Sequence, residues 1–430
     1  MKLSAKSLGI AGGSLALLGL AALGWNWHLE KLPTSLNPTP KLPSPNAFDT
    51  LAKAAKLMAD TGELREAVAR KSSSETKTEI PQAKKQALYD RNRKAIHLIK
   101  TALEQEYYAP PITSLEDFSL YDQNLAVLRA AFLLILEGQI HEANSDFASA
   151  AKSYLQALQF SRHTIKGRPL VGIIYGEAME KRGRQNLNAI RQNLNLKQTL
   201  TVLHDLQHIK KQDYTYADAL RSEKAFGQMA LLEEMKKSGW RFRWPEEEEI
   251  DLSEQPPVTL LTKIKLWGFS NQKIMAEYDV YMENLIEQAK QDYSHQQTVP
   301  LPKNPVTNRW VLDFTHTQKQ SRTNSLSNQI GNDFLLVTFT LHAYQLENKE
   351  LPTTLSQLIP KYLPEVPADA FAPTRKLNYR RTGSTYLLYS IGPDNIDDKG
   401  KPIQSKDEED IVRYLARYDS KGDIVAGIND

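Results

Sequence analysis

The chain has 430 residues, nearly equal numbers of basic and acidic side chains (54 and 51), and no cysteine. Its length allows two or three domains. The balanced charge argues against a global field that would recruit nucleic acid or an acidic substrate. The lack of cysteine excludes disulfides, thiolate nucleophiles and cysteine-based zinc sites. The periodicities described below predict a mainly α fold with a small C-terminal α+β domain that contains an antiparallel sheet.

The N-terminus predicts membrane attachment. Lys2 and Lys6 precede an uncharged apolar stretch, residues 8–25, whose length is at the lower limit for crossing a bilayer. The basic residues favour a cytoplasmic N-terminus, so we expect a single-pass protein of the inner membrane with most of its chain in the periplasm. The alternative for residues 1–27 is a signal peptide, because residues 22–24 provide a cleavage site and the chain would then be secreted.

Proline content and helical periodicity divide the rest of the chain. Residues 28–47 are rich in proline and predict an extended stalk. Residues 48–294 predict a helical domain, residues 295–324 a proline-rich linker, and residues 325–430 a C-terminal domain.

One pair of helices in the helical domain is predicted in more detail. Apolar residues recur at three-to-four spacing before and after a break between Gly138 and Asp146. The pair resembles a single tetratricopeptide-like hairpin. No second copy follows at a spacing of about 34 residues, so an ordinary helical hairpin is the favoured interpretation.

The C-terminal domain begins with a predicted helix from Asn332, which carries Phe334, Leu335 and Leu341 on an apolar side. Thr354 is a predicted cap for a short helix. Two strands are predicted, one on each side of residues 382–384.

The order of these elements resembles the globular head of the major pseudopilin of type II secretion, over residues 332–415. The matching sequences are LPTT at 351–354, PKYLP at 360–364, Pro367 with Asp369, and a Y-x-L-x-S-x-G-x-D pattern from Tyr386 to Asp394. Unlike that family, this chain has a large helical segment between the apolar stretch and the head. The helical part, with GRPLVGIIYGEAME at 167–180, resembles large exported proteins of planctomycete type that carry such a head.

The pseudopilin resemblance also implies a calcium site in the loop after the last long strand. The residues at that place are Asp394, Asp397 and Asp398, with Asp410 closing the site. Calcium takes about six to eight oxygen ligands, which carboxylates and carbonyls of a tight loop supply. An EF-hand does not fit, because Lys406 would replace its last glutamate. The alternative is a solvated turn rich in Asp, Asn, Gly and Lys.

No linear catalytic or cofactor-binding motif is present: the sequence lacks H-E-x-x-H, G-x-S-x-G, a Walker phosphate loop and G-x-G-x-x-G. The aromatic and basic run WRFRW at 240–244 is followed by four glutamates, which disfavours nucleic acid. The favoured interpretation is an aromatic anchor that packs a loop onto the helices, and the alternative is a protein-contact patch. We therefore predict no catalytic residues, no small-molecule substrate, the membrane and another protein as partners, and Ca²⁺ as the only cofactor.

These observations lead us to expect a non-enzymatic scaffold or binding protein with a calcium-stabilised head. One alternative is a component or accessory of a type II secretion or type IV pilus-like system. Another is a cell-envelope hydrolase without a linear motif. A pocket between helices that is lined with carboxylates of raised pKa would favour the hydrolase.

Overall fold

The computed structural model describes residues 40–59, 61–68, 80–114, 118–210, 214–236, 270–295, 297–404 and 416–428. The apolar stretch 8–25, the WRFRW run and Asp410 lie outside these ranges. Within them, none of the helices combines the length and the apolar character needed to cross a bilayer.

The described chain is mainly helical. It contains the α-helices α1 Ala47–Leu57, α2 Thr61–Ala67, α3 Gln82–Ala102, α4 Phe118–Ala143, α5 Phe147–His163, α6 Leu170–Ala189, α7 Leu196–Lys210, α8 Tyr216–Lys236, α9 Asn271–Ala289 and α10 Pro305–Asn348. Short 3₁₀ helices span Arg191–Asn193, Tyr293–His295 and Leu355–Leu358.

The predicted helical hairpin corresponds to α4 and α5, which pack closely against each other. The turn between them follows Ala143, and the side chain of Asp146 caps α5 by accepting a hydrogen bond from the Ser149 amide at 3.1 Å. Close packing depends on Gly138 in α4. A Cβ atom at this position would lie 2.3 Å from the ring of Tyr154, whose side chain is fully buried.

Helix α10 connects the helical part of the chain to the C-terminal domain. It begins at Pro305, inside the segment 295–324 that the proline content predicts as a linker, and it ends at Asn348. Residues 334–343 are buried without interruption, although the sequence predicts a helix with a single apolar side. The reason is that α6 and α7 pack on one side of α10 while β4 and the 3₁₀ helix after Thr354 pack on another.

The C-terminal domain holds two small antiparallel sheets. One pairs β1 Ala368–Asp369 with β2 Ala372–Lys376, and the other has the order β3 Asn378–Thr382, β4 Thr385–Ser390, β5 Ile424–Val425. β3 and β4 form the predicted hairpin, with Thr382 opposite Thr385. The coarse prediction of a mainly helical chain with a small C-terminal antiparallel sheet is thus confirmed.

The close approach of α4 and α5 gives the first testable prediction. Gly138→Ala adds a methyl group where the Tyr154 ring already lies, and the hydroxyl of that ring is held by Glu142 at 2.6 Å. We expect the free energy of unfolding to fall by about 1–3 kcal/mol, the usual cost of overpacking, as measured by urea denaturation. The matched control is Gly62→Ala on α2, where the added methyl group meets no atom within 4 Å. An unchanged stability in the Gly138 variant would contradict this packing.

Candidate functional site

Three of the four predicted calcium ligands lie in the loop that follows β4. Asp397 accepts hydrogen bonds from the Tyr389 hydroxyl (3.1 Å) and the Lys399 amide (3.0 Å), and its second oxygen lies 3.2 Å from the Lys399 ammonium. Asp394 accepts a hydrogen bond from the amide of Ile396 at 3.1 Å. These contacts are those of a hydrogen-bonded turn, and the fourth residue, Asp410, lies outside the described ranges.

A carboxylate that the sequence did not single out organises this loop. Asp423, just before β5, is fully buried and accepts hydrogen bonds from the amides of Asp398 (3.3 Å) and Gly400 (2.6 Å). Gly400 has φ +83°, and a Cβ atom there would lie 2.3 Å from Leu387. Burial raises the pKa of Asp423, and the negative charges of Asp397 and Asp398 raise it further.

Among the residues that the structure describes, no three His, Asp or Glu side chains converge in an arrangement that would hold a metal ion. Asp394 and Asp397 instead accept hydrogen bonds from backbone amides, and Asp397 also pairs with Lys399. The calcium site therefore stays a prediction.

A second polar site was not predicted from the sequence. A cavity of about 450 Å³ lies between the helices and the C-terminal domain, where α5, α6 and α10 meet the ends of α7 and α9, the start of α8 and the β1–β2 hairpin. The charged residues in its lining are Arg162, Glu177, Glu180, Lys210, Asp292, Arg322, Asp333 and Asp369. Pockets of this size are typical of small-molecule sites.

Two asparagines of α10 join opposite charges on α6 in the wall of this cavity. Glu180 forms an ion pair with Arg162 at 3.1 Å and accepts hydrogen bonds from the side-chain amides of Asn332 (3.0 Å) and Asn328. The amide oxygens of Asn328 and Asn332 accept hydrogen bonds from Arg184, at 2.6 Å and 3.2 Å respectively. The buried carboxylate of Glu180 is therefore fully hydrogen-bonded, as buried charges require.

The other two buried carboxylates of the cavity are also held by specific partners. Asp333 on α10 forms an ion pair with Lys210 at the end of α7. Burial raises the pKa of Asp333, while Lys210 opposes that shift. Asp369 on β1 accepts hydrogen bonds from the Ser390 hydroxyl (2.7 Å) and the Ile391 amide (2.9 Å), which ties the β1–β2 hairpin to β4.

Glu177 differs from these groups. It lies on α6 one turn before Glu180 and is partly accessible from the cavity. Burial raises its pKa to about 8, the negative charge of Glu180 adds to the shift, and a hydrogen bond with Ser325 and the charge of Arg184 oppose it. At neutral pH this carboxyl group is therefore mostly protonated, able both to donate and to accept a hydrogen bond.

A larger groove, of about 750 Å³, lies between α6, α10 and β4. Its lining includes Arg184, Arg191 and Tyr386 but, among the described residues, neither Asp nor Glu. Three carboxyl groups whose pKa burial raises, Glu177, Asp333 and Asp369, line the smaller cavity. We therefore take the smaller cavity as the candidate functional site.

Comparisons with protein-family models, with curated proteins and with solved structures found no match.

One sequence signal for the cavity was available. Glu177, Glu180 and Arg184 recur at spacings of three and four within the segment 48–294 that is predicted to be helical, and this spacing places them on one face of a helix. The residues that complete the cavity lie far away in the chain, on α5, α10 and β1, and no local pattern connects them with α6.

The shifted pKa of Glu177 predicts a pH-dependent stability. Its pKa is raised from 4.5 to about 8 in the folded protein. Its contribution to stability is therefore fully present at low pH, and it declines as the pH rises from about 4.5 through about 8. Glu177→Gln, which mimics the protonated group, removes that decline. We expect the variant to match wild type in thermal melting near about pH 5 and to melt a few degrees higher near about pH 9.

The other carboxylates with raised pKa values are present in both proteins, so their contributions cancel in this comparison. The control is Glu104→Gln on the exposed surface after α3, for which we expect the same pH profile as wild type. A difference between Glu177→Gln and wild type that stays constant with pH would contradict the assignment.

Proposed function

We propose that this chain is a membrane-anchored, extracytoplasmic binding protein whose ligand site is the cavity between the helices and the C-terminal domain. The observation that supports this proposal is the cavity of about 450 Å³, whose charged wall residues are held by ion pairs and hydrogen bonds and whose lining includes the accessible carboxyl group of Glu177. Anchoring by residues 8–25 and a periplasmic location rest on the sequence alone. The helical part acts as the scaffold that holds one side of the cavity.

We further propose that the C-terminal domain is a pseudopilin-like interaction module. Support comes from the order of its elements: the end of α10, the 3₁₀ helix Leu355–Leu358, the β3–β4 hairpin and the acidic loop follow one another as the resemblance implies. Asp369 and Ser390, two residues of the resembling motifs, hydrogen-bond to each other at 2.7 Å. A role in a secretion or pilus-like system stays a prediction from that resemblance.

The hydrolase is the second candidate, and one observation favours it. A carboxyl group with a pKa near neutrality suits general acid–base catalysis, and Glu177 has such a pKa within a pocket that also contains ionisable Asp333. The two functions differ in what happens to the bound molecule: a binding protein releases it unchanged, whereas a hydrolase releases its products.

The cavity can be tested with the full-length protein in detergent. Compounds from the main polar classes (sugars, amino acids, amines, dicarboxylates and nucleotides) are added at millimolar concentration, and the melting temperature is measured. We expect at least one class to raise it, because a ligand that binds only the folded state stabilises that state. Chromatography of the recovered compound separates binding from hydrolysis.

Two tryptophan substitutions on α10 serve as the test variant and its control in this experiment. Gln329 is exposed at the edge of the cavity, so Gln329→Trp blocks access, whereas Lys319→Trp places the same side chain on an exposed position outside the lining. We expect the shift in melting temperature to be lost in the first variant and kept in the second. The proposal fails if no class shifts the melting temperature or if the Gln329 variant responds like wild type.

We also propose that the acidic loop binds calcium through Asp394, Asp397, Asp398 and Asp410. What supports this is the crowding of negative charge, because Asp397 and Asp398 both raise the pKa of Asp423. A chelator should then lower the melting temperature of the full chain, and added calcium should restore it. In Asp398→Asn we expect no response to the chelator, whereas Asp419→Asn, an exposed carboxylate beside Arg417, should respond like wild type. An identical melting temperature of wild type with and without the chelator would rule out this site.

A further inference from the structure

We propose that the cavity binds a small organic ammonium, with Glu177 as its counter-ion and the rings of Tyr214 and Tyr216 as aromatic walls. This inference rests on the proposed binding function and specifies the chemical class of the ligand. It follows from how the charges of the cavity are paired and from which groups line the remaining space.

The three cationic side chains of the cavity lining are engaged by protein groups. Arg162 pairs with Glu180 and donates to the carbonyl of Ile209 at 3.0 Å. Lys210 pairs with Asp333. An anionic ligand would have to compete with these contacts.

Arg322 is held in a similar way at the end of α9. Its guanidinium donates to the carbonyl of Gln288 at 2.9 Å and to that of Gln291, and it lies over the ring of Tyr293 at 5.9 Å. The last carbonyls of a helix carry partial negative charge and favour such a cation. The positive charges of the cavity thus stabilise the protein itself.

The carboxyl group of Glu177 is in a different position. Among the described residues, no Lys or Arg lies within ion-pair distance of it, and its contact is the hydrogen bond with Ser325. Burial without an ion-paired cation makes the ionised form unfavourable, and the charge of Arg184 offsets only part of this effect. A cation brought by a ligand would therefore convert Glu177 from a neutral acid into a carboxylate.

Tyrosine rings supply a second element of ammonium recognition. Tyr214 and Tyr216 line the same cavity, whereas the ring of Tyr293 is already covered by the guanidinium of Arg322. The hydroxyl of Tyr216 is turned towards the carbonyl of Gln318, to which it donates at 3.2 Å. Aromatic faces attract organic cations through the negative potential of the ring, and cages of such rings recognise quaternary ammonium groups. An ammonium group with a short polar chain therefore matches both the charge and the surface of the cavity.

Binding of this kind couples to a proton. With a pKa of about 8, Glu177 releases a proton when the cation binds at neutral pH. Arg184 on α6 is the charged neighbour of Glu177 outside the lining. The other ionisable groups of the cavity are Glu180, Tyr214, Tyr216, Asp292, Tyr293, Asp369, Arg162, Lys210, Arg322 and Asp333. Tyr214 and Tyr216 keep their protons in this range, because burial raises the pKa of each, and the remaining groups are held by ion pairs or hydrogen bonds within the protein. The affinity should therefore rise about tenfold per pH unit below about pH 8 and level off above it.

The test uses choline and ethanolamine as probes and isothermal titration calorimetry on the full-length protein. The matched compound is dimethylbutanol, in which carbon replaces the quaternary nitrogen of choline and the shape is retained. We expect at least one cation to bind, dimethylbutanol not to bind, and proton release to appear as a dependence of the heat on the buffer. Glu177→Gln should weaken cation binding at least about tenfold, and Glu104→Gln should leave it unchanged.

Three results would overturn the inference: equal binding of dimethylbutanol, unchanged cation binding in Glu177→Gln, or no binding of either cation. If neutral or acidic compounds bind and Gln329→Trp abolishes their binding, the ammonium inference fails while the proposed binding function stands. If no compound of any class binds in a manner that Gln329→Trp abolishes, both the ammonium inference and the proposed binding function fail.

Discussion

The burial of residues 334–343 of α10 on all sides is the constraint on which the rest of the structure depends. These ten consecutive residues are all buried, and a helix can be buried in this way only when different elements cover its different faces. α6 and α7 cover one side, and β4 with the 3₁₀ helix covers another. One hydrophobic cluster consequently extends from Phe48 in α1 to Leu388 and Ile424 in the sheet. The C-terminal domain shares this core with the helices, so the position of the sheet relative to α6 is fixed by packing.

The candidate cavity is a consequence of that arrangement. Directly before the buried segment, α10 presents Asn328, Asn332 and Asp333, polar residues that cannot join an apolar core without partners. α6 meets them with Glu180 and Arg184. Buried charge networks of this kind are weak evidence for stability, because desolvation offsets much of the attraction between the charges. At high pH, ionisation of the buried Glu177 side chain lowers the stability of the folded protein. A site that keeps such a group is better explained by binding or chemistry than by folding, which is the basis of the function we propose.

Two other buried carboxylates have a structural role in the C-terminal domain. Asp369 connects the β1–β2 hairpin to β4, and Asp423 holds the acidic loop through backbone amides. Asp369 belongs to the motifs that carry the pseudopilin resemblance, and its contact with Ser390 gives a physical reason for that pair of residues. Asp423 has no such signal in the sequence, because it lies 23 residues after its main partner, Gly400. The loop in the structure is thus held by hydrogen bonds, and a calcium ion would be an addition to them.

The sequence by itself determined the local elements. Hydrophobic periodicity on both sides of residues 138–146 predicted the helical hairpin found as α4 and α5. The turn at 382–384 likewise predicted the β3–β4 hairpin. Only the tertiary structure decided which faces of α10 are covered, that residues 305–324 are helical, and that Glu177 stands beside Arg162, Asp333 and Asp369 in one cavity. The physical reason is that periodicity reports which side of an element is apolar. The pairing of charges and the pKa of a buried carboxyl group depend instead on distances through space between residues remote in the chain.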